Sequence, residues 1–352
     1  MAKPRLKIVP LGGLGEIGKN MMALEYGGDI IVIDSGLMFP EEEMLGIDLV
    51  IPDITYLLER REKIRGIIIT HAHEDHIGAL PYVLPQFNVP VYCTKLAKGL
   101  ISLRLKGGKT LAQTRLNTIA PGEQFSLGQF RIEFFSVCHS IPDAVGLVIR
   151  TPVGVIVHSG DFKIDYTPVD GKPTDLSRLA QLGLQGVLLL LSDSTYAESP
   201  GYTPSERVVG DTLDRIMAEA PGRVIVTTFA SLVSRVQQVI DAAAKHQRRI
   251  FIVGRSMSDT VRTALGLGYL KAPDGVLARM DELRGLPHNK IVFVTTGSQG
   301  EPTSALVRIA NRDHRQVSIV RGDTVVISAT PIPGNESLVN RTVDSLFKQG
   351  AE

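Results

Sequence analysis

The hexapeptide HAHEDH at residues 71–76 directly follows the apolar run GIIIT at residues 66–70. An isoleucine-rich run bounded by glycine predicts a strand, so the hexapeptide lies at the strand's carboxyl end. Its histidines and carboxylates are the nitrogen and oxygen ligands that Zn²⁺ accepts in open catalytic sites. The alternative is a solvated polar turn, although loops rarely gather three imidazoles. The sequence therefore predicts a metal centre at the mouth of this strand.

Two further candidate ligands follow predicted strands. His139 comes after the strand predicted at residues 130–137, and Asp161 follows the strand at 153–158 within His-Ser-Gly-Asp. Taken alone, either could be a structural polar group at a strand end. Asp161 is the candidate for a carboxylate that bridges two ions. The expected ligands are His71, His73 and His139 for one ion, and Asp75 and His76 for the other, with Asp161 between them.

The expected second ion has three protein ligands, which is enough for a catalytic zinc with open positions. His158 stays open between a residue that supports a ligand and a histidine at the edge of the core. Two adjacent ions suit phosphodiester hydrolysis, because they activate a water, neutralise phosphate oxygens and stabilise the leaving group. A single zinc would suffice for a thioester or a lactam. The ligand count therefore does not choose the substrate.

Composition is that of a globular protein. The chain has 352 residues, of which 43% are hydrophobic and 21% charged, which excludes long disordered stretches, collagen-like repeats and coiled coils. Two cysteines cannot make a disulfide framework, which favours a reducing compartment. The start lacks the apolar run of a signal peptide, and the longest apolar run is far shorter than the ~20 residues of a membrane span. We therefore expect a cytoplasmic protein without a membrane anchor.

The pattern of predicted elements changes along the chain. Strands with a few helices fill the first 160 residues, which predicts sheets covered by helices. A β-α-β alternation after about residue 200 indicates a parallel sheet and a second domain. Residues 1–205 carry a net charge of −3 and residues 206–352 a net charge of +4, which makes the second segment the expected platform for a polyanion. The expected domains are residues 1–205 and 206–352.

Residues 13–18, GLGEIG, satisfy the dinucleotide-binding pattern GxGxxG. That fold needs a crossover helix between its two strands, and residues 19–26 are too few for a helix and a return. We interpret the glycines as a tight turn near the metal site.

HAHEDH, His139 and the Gly160-Asp161 pair resemble the metal motifs of the metallo-β-lactamase fold, and the second segment resembles the β-CASP domain of its nucleic-acid-cleaving members. The chain as a whole is similar to the ribonuclease J family. The motifs that carry this resemblance lie at residues 12–18, 71–76, 158–163, 192–195, 296–302 and 331–336. The resemblance implies an α/β fold, namely an αββα sandwich with an inserted β-CASP domain that contains a parallel sheet.

The resemblance also implies an activity. It is that of a zinc-dependent hydrolase, a 5′-to-3′ exonuclease on 5′-monophosphorylated single-stranded RNA that also cuts internally, in rRNA processing and mRNA decay. Two Zn²⁺ ions are expected, with Mn²⁺ or Mg²⁺ as alternatives, and the full-length form is expected to be a homo-oligomer. Asp75 and Asp161 would orient the attacking water. Asp193, in Ser-Asp-Ser-Thr, would support the metal site and the reacting phosphate.

By the same resemblance, loops after the β-CASP strands contact RNA. Capping of helices is the alternative for their threonines and serines, whereas the planar fork of Arg255 suits a phosphate. The 5′ phosphate is expected near Ser298 and Gln299. The candidate RNA-binding residues are Thr228, Phe229, Ala230, Ser231, Arg255, Ser256, Ser298 and Gln299.

The chain departs from the family in one respect. Family members return to the lactamase-like domain and supply Ser-Gly-His-Ala and Pro-Val-His-Gly-Glu loops, and the histidine of the latter completes the second metal. Neither loop occurs before Glu352, so we expect a truncated chain whose second site is one ligand short. Two alternatives follow: an RNA-binding subunit with an incomplete metal site, and a small-molecule hydrolase, against which the second segment argues.

Overall fold

The computed structural model describes residues 4–40, 44–106, 112–332 and 334–352. The chain divides into two compact units. The first comprises Met1–Pro40 and Met44–Ser205, and the second contains Glu206–Glu352.

The first unit begins with a six-stranded sheet whose strands follow the order of the chain. Strands β1 to β3 are antiparallel, and β3 to β6 run parallel. The strands are β1 (Lys7–Gly12), β2 (Met21–Tyr26), β3 (Asp29–Ile33), β4 (Ile64–Ile68), β5 (Val91–Cys93) and β6 (Leu116–Thr118). Its helices are α1 (Thr55–Leu58), α2 (Glu74–Ile77), α3 (Leu80–Val83) and α4 (Lys95–Arg104), with a 3-10 turn at Arg61–Lys63.

A second sheet completes the sandwich, with strand order β11-β10-β9-β8-β7. Its strands are β7 (Gln124–Leu127), β8 (Phe130–Ser136), β9 (Val145–Thr151), β10 (Gly154–His158) and β11 (Leu189–Leu191), and helix α5 spans Leu176–Gln185. Ile33 and Ile68 of the first sheet share one buried cluster with Phe134 and Leu147 of the second. Burial of these apolar side chains holds the two sheets face to face.

The second unit is a parallel sheet with strand order β14-β13-β15-β12-β16, which confirms the expected β-α-β architecture. Its elements are α6 (Arg207–Glu219), β12 (Val224–Thr227), α7 (Val233–Lys245), β13 (Arg249–Ile252), α8 (Arg255–Leu267), β14 (Leu277–Ala278), β15 (Ile291–Thr295), α9 (Ala305–Ala310), β16 (Thr324–Ile327) and α10 (Glu336–Phe347), with 3-10 turns at Met280–Leu283 and His288–Lys290. Phe251, Phe293 and Leu306 are fully buried in its core. All of its paired strands run parallel, so the loops after β12, β13 and β15 lie at one edge.

The residue pattern also predicts helices at residues 53–63 and 259–265 and a helix cap at Ser205, and the structure differs at each of the three. The helix predicted at residues 53–63 is a four-residue helix followed by a 3-10 turn, and it begins at Thr55 because Asp53 accepts hydrogen bonds from the backbone and hydroxyl of Thr55 in a turn. The helix predicted at 259–265 begins earlier, at Arg255. The residue that precedes α6 is Glu206 rather than the predicted cap Ser205, and no side-chain hydrogen bond caps that helix.

The glycine-rich residues 13–18 connect β1 to β2, which pair antiparallel. This pairing excludes the parallel crossover of a dinucleotide fold and agrees with a tight turn. Among the described residues, no helix is both long and apolar enough to cross a membrane.

Candidate metal centre

The candidate ligands lie just beyond strand ends of both sheets of the first unit. His71 follows β4 of the first sheet, and His139 and Asp161 follow β8 and β10 of the second sheet. The remaining candidates, His73, Asp75 and His76, lie at the start of α2. Because the two sheets pack face to face, these strand ends meet at one rim of the sandwich.

One group of ring nitrogens contains the three histidines expected for the first ion. His73 Nδ1 lies 3.0 Å from His71 Nε2 and 3.2 Å from His139 Nε2. One ligand atom from each ring lies within 4.8 Å of the others. Three converging imidazole nitrogens are a ligand set that Zn²⁺ uses in catalytic sites.

A second group contains His71, His76 and Asp161. The carboxylate atom Asp161 Oδ2 lies 3.3 Å from His76 Nε2 and 3.8 Å from both His71 Nε2 and His139 Nε2. Asp161 therefore lies between the two groups, where a bridging carboxylate is expected. Asp75 lies beside this second group, with its Oδ2 atom 3.5 Å from His76 Nε2.

Burial controls the charge of the first group. Loss of hydration lowers the pKa of His71 and His139 and lowers that of His73 to about 3, and neighbouring imidazoles add to the effect. These three rings are therefore neutral near pH 7. Neutral imidazole is the form that binds metal ions.

The second group is charged differently. Burial opposes charge on His76, but the carboxylates of Asp161, Asp75 and Asp34 outweigh it and raise the pKa of His76 well above its usual value. Burial would raise the pKa of Asp161, yet the adjacent histidines hold it well below the usual range. His76 is therefore protonated near pH 7 when no ion is bound, and a divalent ion would displace the proton on its Nε2 atom. The centre would then combine neutral imidazoles with ionised carboxylates, a donor set that fits divalent metal ions.

Asp34 is a candidate site residue that sequence reasoning missed. Its Oδ2 atom lies 2.8 Å from His76 Nδ1. The backbone N–H and the hydroxyl of Thr70 also donate to this carboxylate, each at 2.8 Å. Its position after β3, the neighbour of β4, is the signal that could have found it. A carboxylate on the far nitrogen of a histidine ligand orients the ring.

Asp193 and His158 hold the loop that carries Asp161. Asp193 Oδ2 accepts a hydrogen bond from the backbone N–H of Phe162 at 3.4 Å, and its other oxygen binds Thr195. His158 Nδ1 accepts from the backbone N–H of Gly160 at 3.0 Å. Both side chains therefore act on the backbone beside Asp161.

The candidate RNA-binding residues lie at the carboxyl edge of the parallel sheet. Thr228 follows β12 and is buried, and its backbone N–H donates to the carbonyl of Thr295 at 3.1 Å. Residues 229–231 are partly exposed. Arg255 and Ser256 form the exposed first turn of α8.

Ser298 and Gln299 follow β15 and are both buried, but their side chains differ in partners. The Gln299 amide donates to the Thr330 carbonyl at 3.0 Å and accepts from the Ile332 N–H at 2.7 Å, so it anchors the loop that follows β16. Pro333, in the predicted motif at 331–336, lies outside the described residues. The Ser298 hydroxyl is buried without a hydrogen-bond partner among the described residues. A buried hydroxyl without a partner is costly unless a ligand or water satisfies it.

Comparisons with known proteins agree with this architecture. The model of the metallo-β-lactamase superfamily matches residues 14–199, and the model of the ribonuclease J β-CASP domain matches residues 221–346. Ribonuclease J of Synechocystis sp. is 51% identical over 98% of this chain and 54% of its own length. Ribonuclease J of Thermus thermophilus is 48% identical over 98% of this chain and 61% of its own length. The chain thus spans between half and two thirds of these relatives.

A crystal structure of a protein of unknown function from Enterococcus faecalis V583 has the same fold. It superposes with a TM-score of 0.69 at 17% identity, over 98% of this chain and 86% of its own. The expected fold class, a metallo-β-lactamase sandwich with a β-CASP domain, is confirmed. A superfamily whose members bind divalent metal also agrees with the histidine-rich groups. The chain therefore belongs to the metallo-β-lactamase superfamily, and its second half carries the β-CASP domain of ribonuclease J.

Proposed function

We propose that this chain is the core of a divalent-metal-dependent ribonuclease that hydrolyses phosphodiester bonds of single-stranded RNA. The observation that carries the proposal is the position of Asp161, whose Oδ2 atom lies within 4 Å of ring nitrogens of His71, His76 and His139. That arrangement suits two adjacent ions, and similarity to ribonuclease J supplies the substrate class. The proposed domains are residues 1–205 for the metal centre and 206–352 for RNA.

Each candidate ligand has a proposed place. His71, His73 and His139 would hold one ion, and Asp75 and His76 the other, with Asp161 shared. Divalent ions held there supply activation of water and neutralisation of phosphate charge. The imidazole-rich group suits Zn²⁺, and the carboxylates of the second group also accept Mn²⁺ or Mg²⁺.

The chain's own side chains would orient the ligands and the attacking water. Asp34 accepts from His76 Nδ1, so the proton that a bound ion would displace is the one on Nε2, which faces the centre. Asp75 and Asp161 would accept hydrogen bonds from the attacking water and orient it toward the phosphorus. Asp193 would act through the backbone at Phe162, by holding Asp161 in place.

The finer part of the proposal concerns the RNA. Removal of nucleotides from a 5′-monophosphorylated end needs a site for that phosphate, and the unpartnered Ser298 hydroxyl supports one after β15. Arg255 and Ser256, exposed in the first turn of α8, would bind the backbone together with Thr228, Phe229, Ala230 and Ser231. Gln299 would contribute by holding the adjacent loop. Internal cleavage, roles in rRNA processing and mRNA decay, a cytoplasmic location and a homo-oligomeric full-length form belong to the same proposal.

A second candidate function is RNA binding without cleavage. It is favoured by the small number of ligands in the second group. Among the described residues, that group brings together three candidate ligands, namely His71, His76 and Asp161. A small-molecule hydrolase is disfavoured by the match of residues 221–346 to a β-CASP domain.

The test compares substrate classes with the whole purified chain in Zn²⁺ or Mn²⁺. Internally labelled single-stranded RNA, a thioester and a small phosphodiester are offered in parallel. His71→Ala is the control, because His71 belongs to both ligand groups. The proposal expects RNA cleavage that His71→Ala abolishes. Binding of RNA without cleavage would support the second candidate, and turnover of the thioester alone would contradict both.

A further inference from the structure

The glycine-rich turn at residues 13–18 leads directly into Asn20, which contacts helix α2. The Asn20 backbone N–H donates to the carbonyl of Asp75 at 3.0 Å, and its own carbonyl accepts from the N–H of Gly36 at 2.9 Å. These two bonds fix the Asn20 backbone against the turn of helix that carries Asp75 and His76.

The Asn20 side chain reaches the second ligand group. Its Nδ2 atom lies 3.2 Å from Asp75 Oδ2 and 3.1 Å from His76 Nε2. No hydrogen bond among the described residues joins this amide to His73 or His139. One amide therefore contacts two candidate ligand atoms of the second group and leaves the first group untouched.

Gly13 supports this amide from behind. A Cβ atom at residue 13 would collide with Asn20 Oδ1, so only glycine lets the turn pack against the amide. Gly13 has a φ of +82°, a conformation that also favours glycine. Gly15, in the same turn, has a φ of +71°, but a Cβ there would meet no heavy atom within 4 Å. The two glycines thus share a backbone conformation and differ in contact with Asn20.

We propose that Asn20 is a positioning residue for the second divalent ion, held in place by Gly13. The inference rests on the metal centre of the proposed function. The amide orients the Asp75 carboxylate by donating to one of its oxygens, which retains further lone pairs for a metal ion. Nε2 of His76 has a single lone pair, which the ion would take, so the amide acts through Asp75. Without the amide, the Asp75 carboxylate regains rotamer freedom that ion binding must then remove.

The test is a titration of the metal-free chain with Co²⁺, followed by visible absorption and calorimetry. The variants are Asn20→Leu, which keeps a similar volume without a donor, and Gly13→Ala, which displaces the amide from the other side. Gly15→Ala is the matched control for backbone strain. Circular dichroism verifies that each variant is folded, and neither readout depends on RNA cleavage.

Wild type is expected to take up two ions in separable steps. Asn20→Leu and Gly13→Ala should weaken the second step by roughly 10- to 100-fold, the range for loss of an outer partner of a metal ligand. The first step, and both steps of Gly15→Ala, should match wild type. An unchanged second step in Asn20→Leu overturns the proposal, as does equal weakening of both steps or uptake of a single ion by wild type. None of these results would decide whether the chain hydrolyses RNA, which the comparison of substrate classes tests separately.

Discussion

His76 and Asp34 meet at 2.8 Å between ring Nδ1 and carboxylate Oδ2, while the other ring nitrogen of His76 lies 3.3 Å from Asp161. Because a carboxylate can only accept, the ring would keep its proton on Nδ1 once a metal ion had displaced the proton on Nε2. The Nε2 lone pair then faces the candidate metal centre. Asp34 thereby connects strand β3 to the chemistry of the hexapeptide that follows β4.

Replacement of Asp34 tests this connection. Asp34→Asn keeps the shape but removes the charge that orients His76, so Zn²⁺ affinity should fall by about 10- to 100-fold. Competition with a chromophoric chelator measures the affinity. Asp53→Asn is the control, because Asp53 serves a local turn at Thr55. Equal affinity of Asp34→Asn and wild type would show that Asp34 has no part in the centre.

Gly36 should be intolerant of any side chain. A Cβ at residue 36 would overlap the carbonyl of Asp75 and lie 2.9 Å from the Asn20 nitrogen. Gly36→Ala should therefore lower the free energy of unfolding by about 3 kcal/mol or more, since the backbone cannot yield cheaply. Urea unfolding measures it. Gly28→Ala, where a Cβ meets open space, is the control, and equal stability of the two variants would refute the argument.

Acid stability should depend on Glu25, a buried carboxylate. Burial would raise its pKa, but the Tyr56 hydroxyl, Lys7 and Lys63 outweigh that effect and lower it from 4.5. A lowered pKa means that the unfolded chain binds more protons, so the contribution is present above about pH 4.5 and is lost as the pH falls further. The difference in unfolding free energy between wild type and Glu25→Gln should therefore shrink on acidification. Urea unfolding at several pH values measures it, and a difference that grows toward acid pH would contradict the assignment.

Ser298 should govern discrimination at the 5′ end of RNA. Its buried hydroxyl has no partner among the described residues and is proposed to bind a phosphate oxygen, so Ser298→Ala should lose most of the preference for a 5′ monophosphate over a 5′ triphosphate, by roughly 10-fold. Cleavage rates on RNAs that differ only at the 5′ end provide the measurement. Internal cleavage serves as the control and should be unaffected. A retained preference would place the phosphate elsewhere.

The sequence could predict those site residues that are adjacent in the chain or that directly follow an apolar strand. HAHEDH gathers its ligands within one turn, and His139 and Asp161 follow apolar runs, so strand ends alone bring them toward one rim. The parallel sheet of the second unit was predictable because its apolar strands alternate strictly with helices. The family resemblance, carried by motifs across both units, is confirmed by the comparisons.

Contacts between segments distant in sequence explain what could not be predicted. Asn20 and Asp75 are 55 positions apart, and Asp34 and His76 are 42 apart, so no local pattern joins them. The burial of Gln299 depends on the loop after β16. Short strands such as β6 and β11, three residues each, carry too little periodicity to be found.

The most direct test of the account is hydrolysis of a 5′-end-labelled, 5′-monophosphorylated single-stranded RNA by the whole chain in Zn²⁺ or Mn²⁺. His76→Ala is run in parallel, because His76 binds Asp34 on one ring nitrogen and approaches Asp161 with the other. The account predicts release of labelled mononucleotide by wild type and none by the variant. A folded, zinc-loaded wild-type chain that leaves the RNA intact, or equal release by His76→Ala, would contradict it.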